Sequence, residues 1–323
     1  MLSVELADDA GLAELEAGGR ADLLLSHPRA ATLNIVNQRA AAQEGPVRIR
    51  RSSWMGLAES LASADPVRDL ATPLKGPYQT VPIDDPAASA AAIRLAKLAG
   101  LLPAVFIAPV THELLMVGAA DVLAYSSSLR LRISARAKLP IEGAEDTEIV
   151  AFRTADGGPE HLALIVGHPP RSAAALTRLH SACLTGDVLG SLKCDCGPQL
   201  RAAIAAVSAA GGGIILYLQQ EGRGIGLLNK LRAYQLQDQG FDTVDANLRL
   251  GFEVDEREFG LAALMLDLLG FNRVRLLTNN PEKVAGLQAA GIDVIERVPL
   301  SAGEGNHNAA YLATKRNRTG HLI

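Results

Sequence analysis

The chain has 323 residues, 48% hydrophobic and 20% charged, which is long for one compact domain and rich enough for a sizeable core. Thirty-one Lys and Arg stand against 35 Asp and Glu, a formal charge of −4, and only 4% of residues are aromatic. That balance argues against nucleic-acid binding, which needs a basic stripe or a row of stacking platforms. No apolar run reaches the roughly 18–20 residues of a membrane helix. The longest candidate, Leu98 to Val110, is broken by Gly100 and Pro103. Glu5, Asp8 and Asp9 stand where a signal peptide would be basic, so a cytoplasmic protein is expected.

Along the first part, Pro66 to Pro86 holds five prolines and reads as irregular loop. Ala87 to Gly100 reads as an amphipathic helix with Ile93, Leu95 and Leu98 among alanines and Gly100 as its stop. Pro103 to Val110 reads as a buried strand, and Asp121 to Tyr125 as the start of another element. Between Arg132 and Glu142 the composition turns polar and basic, which places a domain boundary there, giving domains 1–131 and 132–323.

The second part alternates strand and helix in the manner of α/β domains. Strands are expected at Leu162–Val166, Ile214–Leu218, Val274–Leu277 and Val294–Val298. Helices are expected at Gln199–Ala210, Ile225–Gln239, Leu261–Leu269, Pro281–Ala290 and Ala309–Arg316, most of them closed by glycine.

All three cysteines fall in one stretch, Cys183, Cys194 and Cys196, and an odd count makes a disulfide framework improbable. Three thiolates fill three corners of a zinc tetrahedron. The fourth is open to water in a catalytic site, or is closed by His180 in a structural one. Gln220-Glu221-Gly222-Arg223-Gly224-Ile225-Gly226 lies between a strand and a helix. It is either a plain glycine turn or a phosphate cradle with Arg223 as clamp. In Thr278-Asn279-Asn280-Pro281-Glu282-Lys283, Asn280 and Pro281 start a helix, and Thr278 and Lys283 add a hydroxyl and a cation beside it. Asp255-Glu256-Arg257-Glu258 is ordinarily a solvated charge run. In extended form it would put Asp255 and Arg257 on one face. Tyr234 and Asp238 share a helix face.

Taken in order, these segments resemble GTP cyclohydrolase II over roughly Arg132 to Ile323. The resemblance is carried by His180-Ser-Ala-Cys-Leu-Thr-Gly-Asp, Cys194-Asp-Cys-Gly-Pro-Gln-Leu, Gln220-Glu-Gly-Arg-Gly-Ile-Gly-Leu and Leu228-Asn-Lys-Leu-Arg-Ala-Tyr. Leu236-Gln-Asp-Gln-Gly-Phe-Asp-Thr, Asp255-Glu-Arg, Leu276-Leu-Thr-Asn-Asn-Pro-Glu-Lys and the terminal Gly320-His-Leu extend it. It implies zinc held by Cys183, Cys194 and Cys196, and attack of an activated water on C8 of GTP, with loss of formate and pyrophosphate. GTP contacts are implied at Arg178, Leu179, His180, Ser181, Ala182, Gln199, Glu221, Gly222, Arg223, Thr243, Thr278 and Lys283. The family's ring-opening tyrosine falls on Tyr234, its proton acceptor on Asp255 and its nucleophile toward the α-phosphorus on Arg257. A guanidinium, which stays protonated and is a poor nucleophile, serves equally as an electrostatic clamp there. Magnesium is expected with the triphosphate, and a homodimer as the assembly. Ala182 stands where many members carry glutamate.

The fold this implies is α/β, a three-layer C-terminal domain with a mixed sheet, preceded by a smaller α+β domain. That first domain resembles dihydroxybutanone-phosphate synthase only in Ala91-Ala-Ile-Arg-Leu-Ala-Lys-Leu-Ala-Gly-Leu-Leu-Pro103. The synthase's Gly-His-Thr-Glu signature is replaced by Ala87-Ala-Ser-Ala90, so a degenerate, non-catalytic domain is expected. The alternative function is a GTP-binding homologue, non-catalytic or altered in specificity, outside riboflavin synthesis.

Overall fold

The computed structural model describes residues 1–109, 115–125, 131–303, 305 and 308–322. The chain divides into two compact units. Met1–Tyr125 joins Ile225–Glu256, and Ser126–Gly224 joins Arg257–Ile323.

The first unit is built on a five-stranded antiparallel sheet of β1 (Leu2–Ser3), β2 (Asp22–Leu25), β3 (Val47–Ile49), β4 (Thr80–Val81) and β5 (Ala104–Ile107), in the order β1-β5-β2-β3-β4. Helices α1 (Asp9–Leu15), α2 (His27–Thr32), α3 (Leu57–Ala64), α4 (Pro86–Leu98) and α5 (Ala119–Leu123) complete it. Successive strand residues face opposite sides. Leu23, Leu25, Ala104 and Phe106 enter one core, and Leu24 and Val105 meet α4 on the other face. Helix α4 starts where Asp85 accepts the Ala88 N–H with Pro86 at the first helical position, one residue before the expected start at Ala87. Its buried residues are Ala91, Ala92, Ile93 and Ala96, whereas Leu95 and Leu98, expected on the same apolar face, are exposed. The expected strand at 103–110 is β5; Val110 lies outside the described residues.

The second unit opens with three antiparallel strands, β6 (Arg132–Lys138), β7 (Thr147–Arg153) and β8 (His161–Gly167). After them come β9 (Ala175–Ser181), α6 (Cys196–Ala209) and β10 (Gly212–Leu218). Two further helices, α7 (Leu227–Asp238) and α8 (Thr243–Arg249), belong to the first unit. The chain then returns with α9 (Gly260–Leu269), β11 (Arg273–Leu277), α10 (Pro281–Ala289), β12 (Asp293–Val298) and α11 (Ala309–Arg318). The seven strands run β12-β11-β9-β10-β8-β7-β6, parallel from β12 to β10 and antiparallel beyond, a mixed sheet. Ile214, Leu216 and Leu218 pack with Leu261, Met265 and Leu266 of α9 on one face. Ile215 packs with Ala203 and Val207 of α6 on the other, giving three layers.

Strand β4 falls inside 66–86, the stretch expected to be irregular loop, and two further features depart from the sequence expectation. Arg132–Lys138, in the stretch where the domain boundary was expected and no element was assigned, is an edge strand; it is exposed at almost every position, so no apolar alternation betrays it. The units also differ from the division 1–131 and 132–323. Ile225, Ala233, Leu236, Ala246, Leu250 and Phe252 enter the same core as Leu23, Val47 and Phe106, so residues 225–256 belong with the N-terminal part by packing.

Candidate metal centre

Strand β9 delivers the chain to Cys183, which caps a single π-helical turn, Leu184–Val188, by accepting the Gly186 N–H on Sγ at 3.3 Å. The chain returns through Cys194 to Cys196, the first residue of α6. The three Sγ atoms lie within 4.8 Å of one another, with Cys183 and Cys194 separated by 3.7 Å. Tetrahedral zinc with bonds of ~2.3 Å separates its sulfurs by about 3.8 Å, so the thiols fit three corners of such a site. A backbone without a side chain walls the cluster. A Cβ on Gly186 would lie 2.8 Å from Cys194 Sγ and 3.0 Å from Cys183 Sγ. Hydrogen bonding with Cys183, then with Cys194, together with burial, pushes the Cys196 thiol well up; hydrogen bonding with Cys183 and burial raise Cys194. Three thiols packed this closely ionise together only beside a cation.

His180 does not join the thiols. Its Nε2 faces the Asp187 carboxylate at 3.0 and 3.1 Å, and its ring stacks on Tyr217 with centroids 5.5 Å apart. Burial lowers its pKa. Asp187 also accepts the Cys183 N–H at 3.0 Å and the Tyr217 hydroxyl at 2.9 Å, so one carboxylate orients the histidine, the tyrosine and the start of the cysteine turn.

A second polar chain runs behind the cluster. Lys315 donates to both oxygens of Asp195, at 2.7 and 2.9 Å, and Asp195 accepts from Gln199 at 2.6 Å. The Gln199 amide oxygen accepts from Arg178 at 2.6 Å, and Arg178 also donates to the Leu277 carbonyl at 2.9 Å. Burial lowers the Arg178 pKa to about 10, and its Nε is buried without a hydrogen-bond partner, as is Ser181 Oγ. Groups left so inside a protein cost stability unless a ligand or water meets them.

Other expected residues gather in the same unit. Lys283 donates to the Leu179 carbonyl at 2.7 Å, and Glu221 accepts the Leu184 N–H at 2.7 Å. Gly222 and Arg223 both have φ near +60°, a conformation Arg223 holds at a steric cost. Ala182 is buried and donates its N–H to the Leu218 carbonyl, and buried Thr278 accepts the Asn280 N–H. The Arg257 guanidinium lies 5.4 Å from the Phe259 ring centroid.

Three expected residues lie in the first unit. Tyr234 stands on α7 with Lys230 Nζ 5.7 Å from its ring centroid; Thr243 opens α8 and accepts from Gln237 at 3.2 Å. Asp255 follows α8, and residues 255–258 are neither strand nor helix, so the alternation of an extended chain does not apply to Asp255 and Arg257. Sequence reasoning missed Asp187, Asp195, Tyr217 and Lys315. The first two sit inside the quoted cysteine motifs and were within reach; Lys315 is 120 positions from its partner and carries no local signal.

The sequence profile of GTP cyclohydrolase II matches residues 132–299. The chain is 51% identical over 282 residues to a GTP cyclohydrolase-2 of Azospirillum brasilense, covering 81% of this chain and 73% of the relative. That share is more than residues 132–323 can supply, so the match reaches into the N-terminal part. A GTP cyclohydrolase-2 of Proteus mirabilis is 53% identical over 195 residues, 60% of this chain and 98% of the relative. Among solved structures, a two-domain 3,4-dihydroxy-2-butanone 4-phosphate synthase from A. baumannii covers 93% of this chain and 90% of its own, at 18% identity and a TM-score of 0.36. The profile match and the relatives together make this chain a member of the GTP cyclohydrolase II family.

Proposed function

We propose that this protein opens the imidazole ring of GTP by hydrolysis, the first step of riboflavin biosynthesis. The products are formate, pyrophosphate and a diamino-ribosylamino-pyrimidinone phosphate. Two waters are consumed in releasing C8 as formate and one in releasing pyrophosphate. The observation that carries this reading is the cluster of Cys183, Cys194 and Cys196, three thiols at tetrahedral spacing with no fourth protein ligand beside them among the described residues. A zinc ion held there supplies Lewis-acid activation of water at neutral pH.

The chain's own residues do the rest. Arg178, Arg223 and Lys283 bring positive charge for the triphosphate, and magnesium accompanies it. Leu179, His180, Ser181, Ala182, Gln199, Glu221, Gly222, Thr243 and Thr278 complete the nucleotide contacts. Support comes from the buried, unpartnered Arg178 Nε and Ser181 Oγ, donors that a bound nucleotide would satisfy. Tyr234 serves the ring-opening half. Arg257 acts at the α-phosphorus, with Asp255 as proton acceptor. The N-terminal part is non-catalytic and residues 132–323 carry the chemistry. The protein works as a cytoplasmic homodimer; no helix among the described residues is long and apolar enough to cross a membrane.

The test is product analysis of zinc-replete protein with GTP and magnesium, following formate, pyrophosphate and the pyrimidinone phosphate together. All three are expected, and formate is expected to vanish in Cys194→Ser. Bound GTP with no product would sink the proposal in favour of a nucleotide-binding homologue without turnover.

A further inference from the structure

The N-terminal part contributes none of the residues assigned above to metal, substrate or chemistry, yet it holds the turn that carries one of them. Lys97 sits in the last turn of α4 and donates to Glu256 Oε1 at 2.5 Å across 159 positions of sequence. The side chains are only 14% and 13% exposed. The same Glu256 oxygen accepts the Glu253 N–H at 2.8 Å, closing a turn over residues 253–256 with Asp255 inside it. Lys97 Nζ also lies 5.7 Å from the centroid of the buried Phe252 ring, directly before that turn. On its other side, Asn247 of α8 donates to the Val254 carbonyl at 3.4 Å. Asp255 is therefore flanked by one backbone group held from α8 and one side chain held from α4. No helix or strand runs through residues 252–258, so their path depends on ties of this kind, the Phe252 N–H to the Asn247 carbonyl at 3.0 Å among them.

We propose that Lys97 is a positioning residue for the cyclohydrolase reaction, holding Asp255 in place by anchoring Glu256. The proposal rests on the reading of Asp255 as proton acceptor. The physical argument is that a mostly buried carboxylate deprived of its cation turns toward water, and Glu256 cannot do so without opening the turn it closes. Proton transfer is sensitive to displacements of about 1 Å, and such misplacement from a distant substitution costs as much as ~100-fold in rate. The same part of the chain steadies the helix that bears Tyr234. Asn229 of α7 donates to the Gly100 carbonyl at 2.9 Å, and Arg232 donates to Glu5 at 2.7 Å.

The experiment uses the full-length, zinc-loaded protein and its variants Lys97→Met and Lys97→Arg, with amide hydrogen exchange and steady-state kinetics on each. Lys97→Met should speed exchange at residues 253–257 about tenfold or more and leave strand β10 unchanged. It should lower kcat by roughly 10- to 100-fold with KM within about twofold. Lys97→Arg should bring both readouts most of the way back. Glu256→Gln, which keeps an acceptor for the Glu253 N–H while removing the charge, is the second variant should Lys97→Met fail to fold. Unchanged exchange at 253–257, or faster exchange with wild-type kcat, would overturn the proposal. A wild-type chain that turns over no GTP would overturn the function itself, and is distinguished because the exchange response to Lys97→Met would still be seen.

Discussion

Lys315, in the C-terminal helix, binds both carboxylate oxygens of Asp195, the residue between two of the three clustered cysteines. Asp195 is 1% exposed at its side chain, so the ammonium is a substantial part of what keeps that charge inside the protein. Lys315→Met should destabilise the fold by on the order of 3 kcal/mol, because it leaves a buried carboxylate without its cation. Zinc affinity should fall by roughly 10- to 100-fold, since Cys194 and Cys196 flank the loosened residue. Urea unfolding and competition with a chromophoric chelator measure the two effects. Unchanged zinc affinity would separate the helix from the metal centre.

Gly186 offers a sharper test of the thiol cluster. Alanine there would place a methyl carbon 2.8 Å from Cys194 Sγ and 3.0 Å from Cys183 Sγ, closer than the sulfurs can accept without moving apart. Gly186→Ala should bind well under one zinc per chain and make no formate, while keeping wild-type far-ultraviolet dichroism. Metal analysis alongside a formate assay checks it, and full zinc occupancy would contradict the packing described.

His161 sets a stability window in pH. Burial lowers its pKa from 6.5 to about 4, and its Nδ1 accepts the Gln219 N–H at 3.1 Å. Below pH 6.5 the unfolded chain takes up a proton that the folded chain refuses, so stability present above that value is lost as the pH falls toward about 4. The loss is about 1.4 kcal/mol per pH unit across this window. Denaturant titrations between those limits should give a shallower pH slope for His161→Gln than for wild type. Equal slopes would mean the imidazole is hydrated.

Arg29 anchors the first unit. Its guanidinium, 1% exposed, meets both oxygens of Asp69 at 2.7 and 2.9 Å and donates to the Ser63 carbonyl at 2.7 Å. Arg29→Met should lower stability by about 3 kcal/mol through the unpaired acceptors it leaves. Hydrogen exchange should localise the effect to strands β2 and β5, and an effect spread evenly over β9 and β10 would count against it.

Local chemistry made much of this protein legible in the sequence. Asn280 and Pro281 start α10 and Gly270 closes α9, because caps and glycine stops act within one turn of the chain. The cysteines are legible for the same reason, lying within 14 positions. The tertiary structure decided what depends on partners far along the chain. The polar edge strand β6 exists through its pairing with β7. The π-helical turn and the Asp187 carboxylate keep His180 away from the thiols, a choice the spacing had left open. Residues 225–256 match the family in sequence but pack with the N-terminal part, because their apolar side chains complete a core whose other half lies in β2, β3 and β5. Hydrophobic burial is non-directional and takes no account of sequence separation, so only the folded chain reveals which segments share a core.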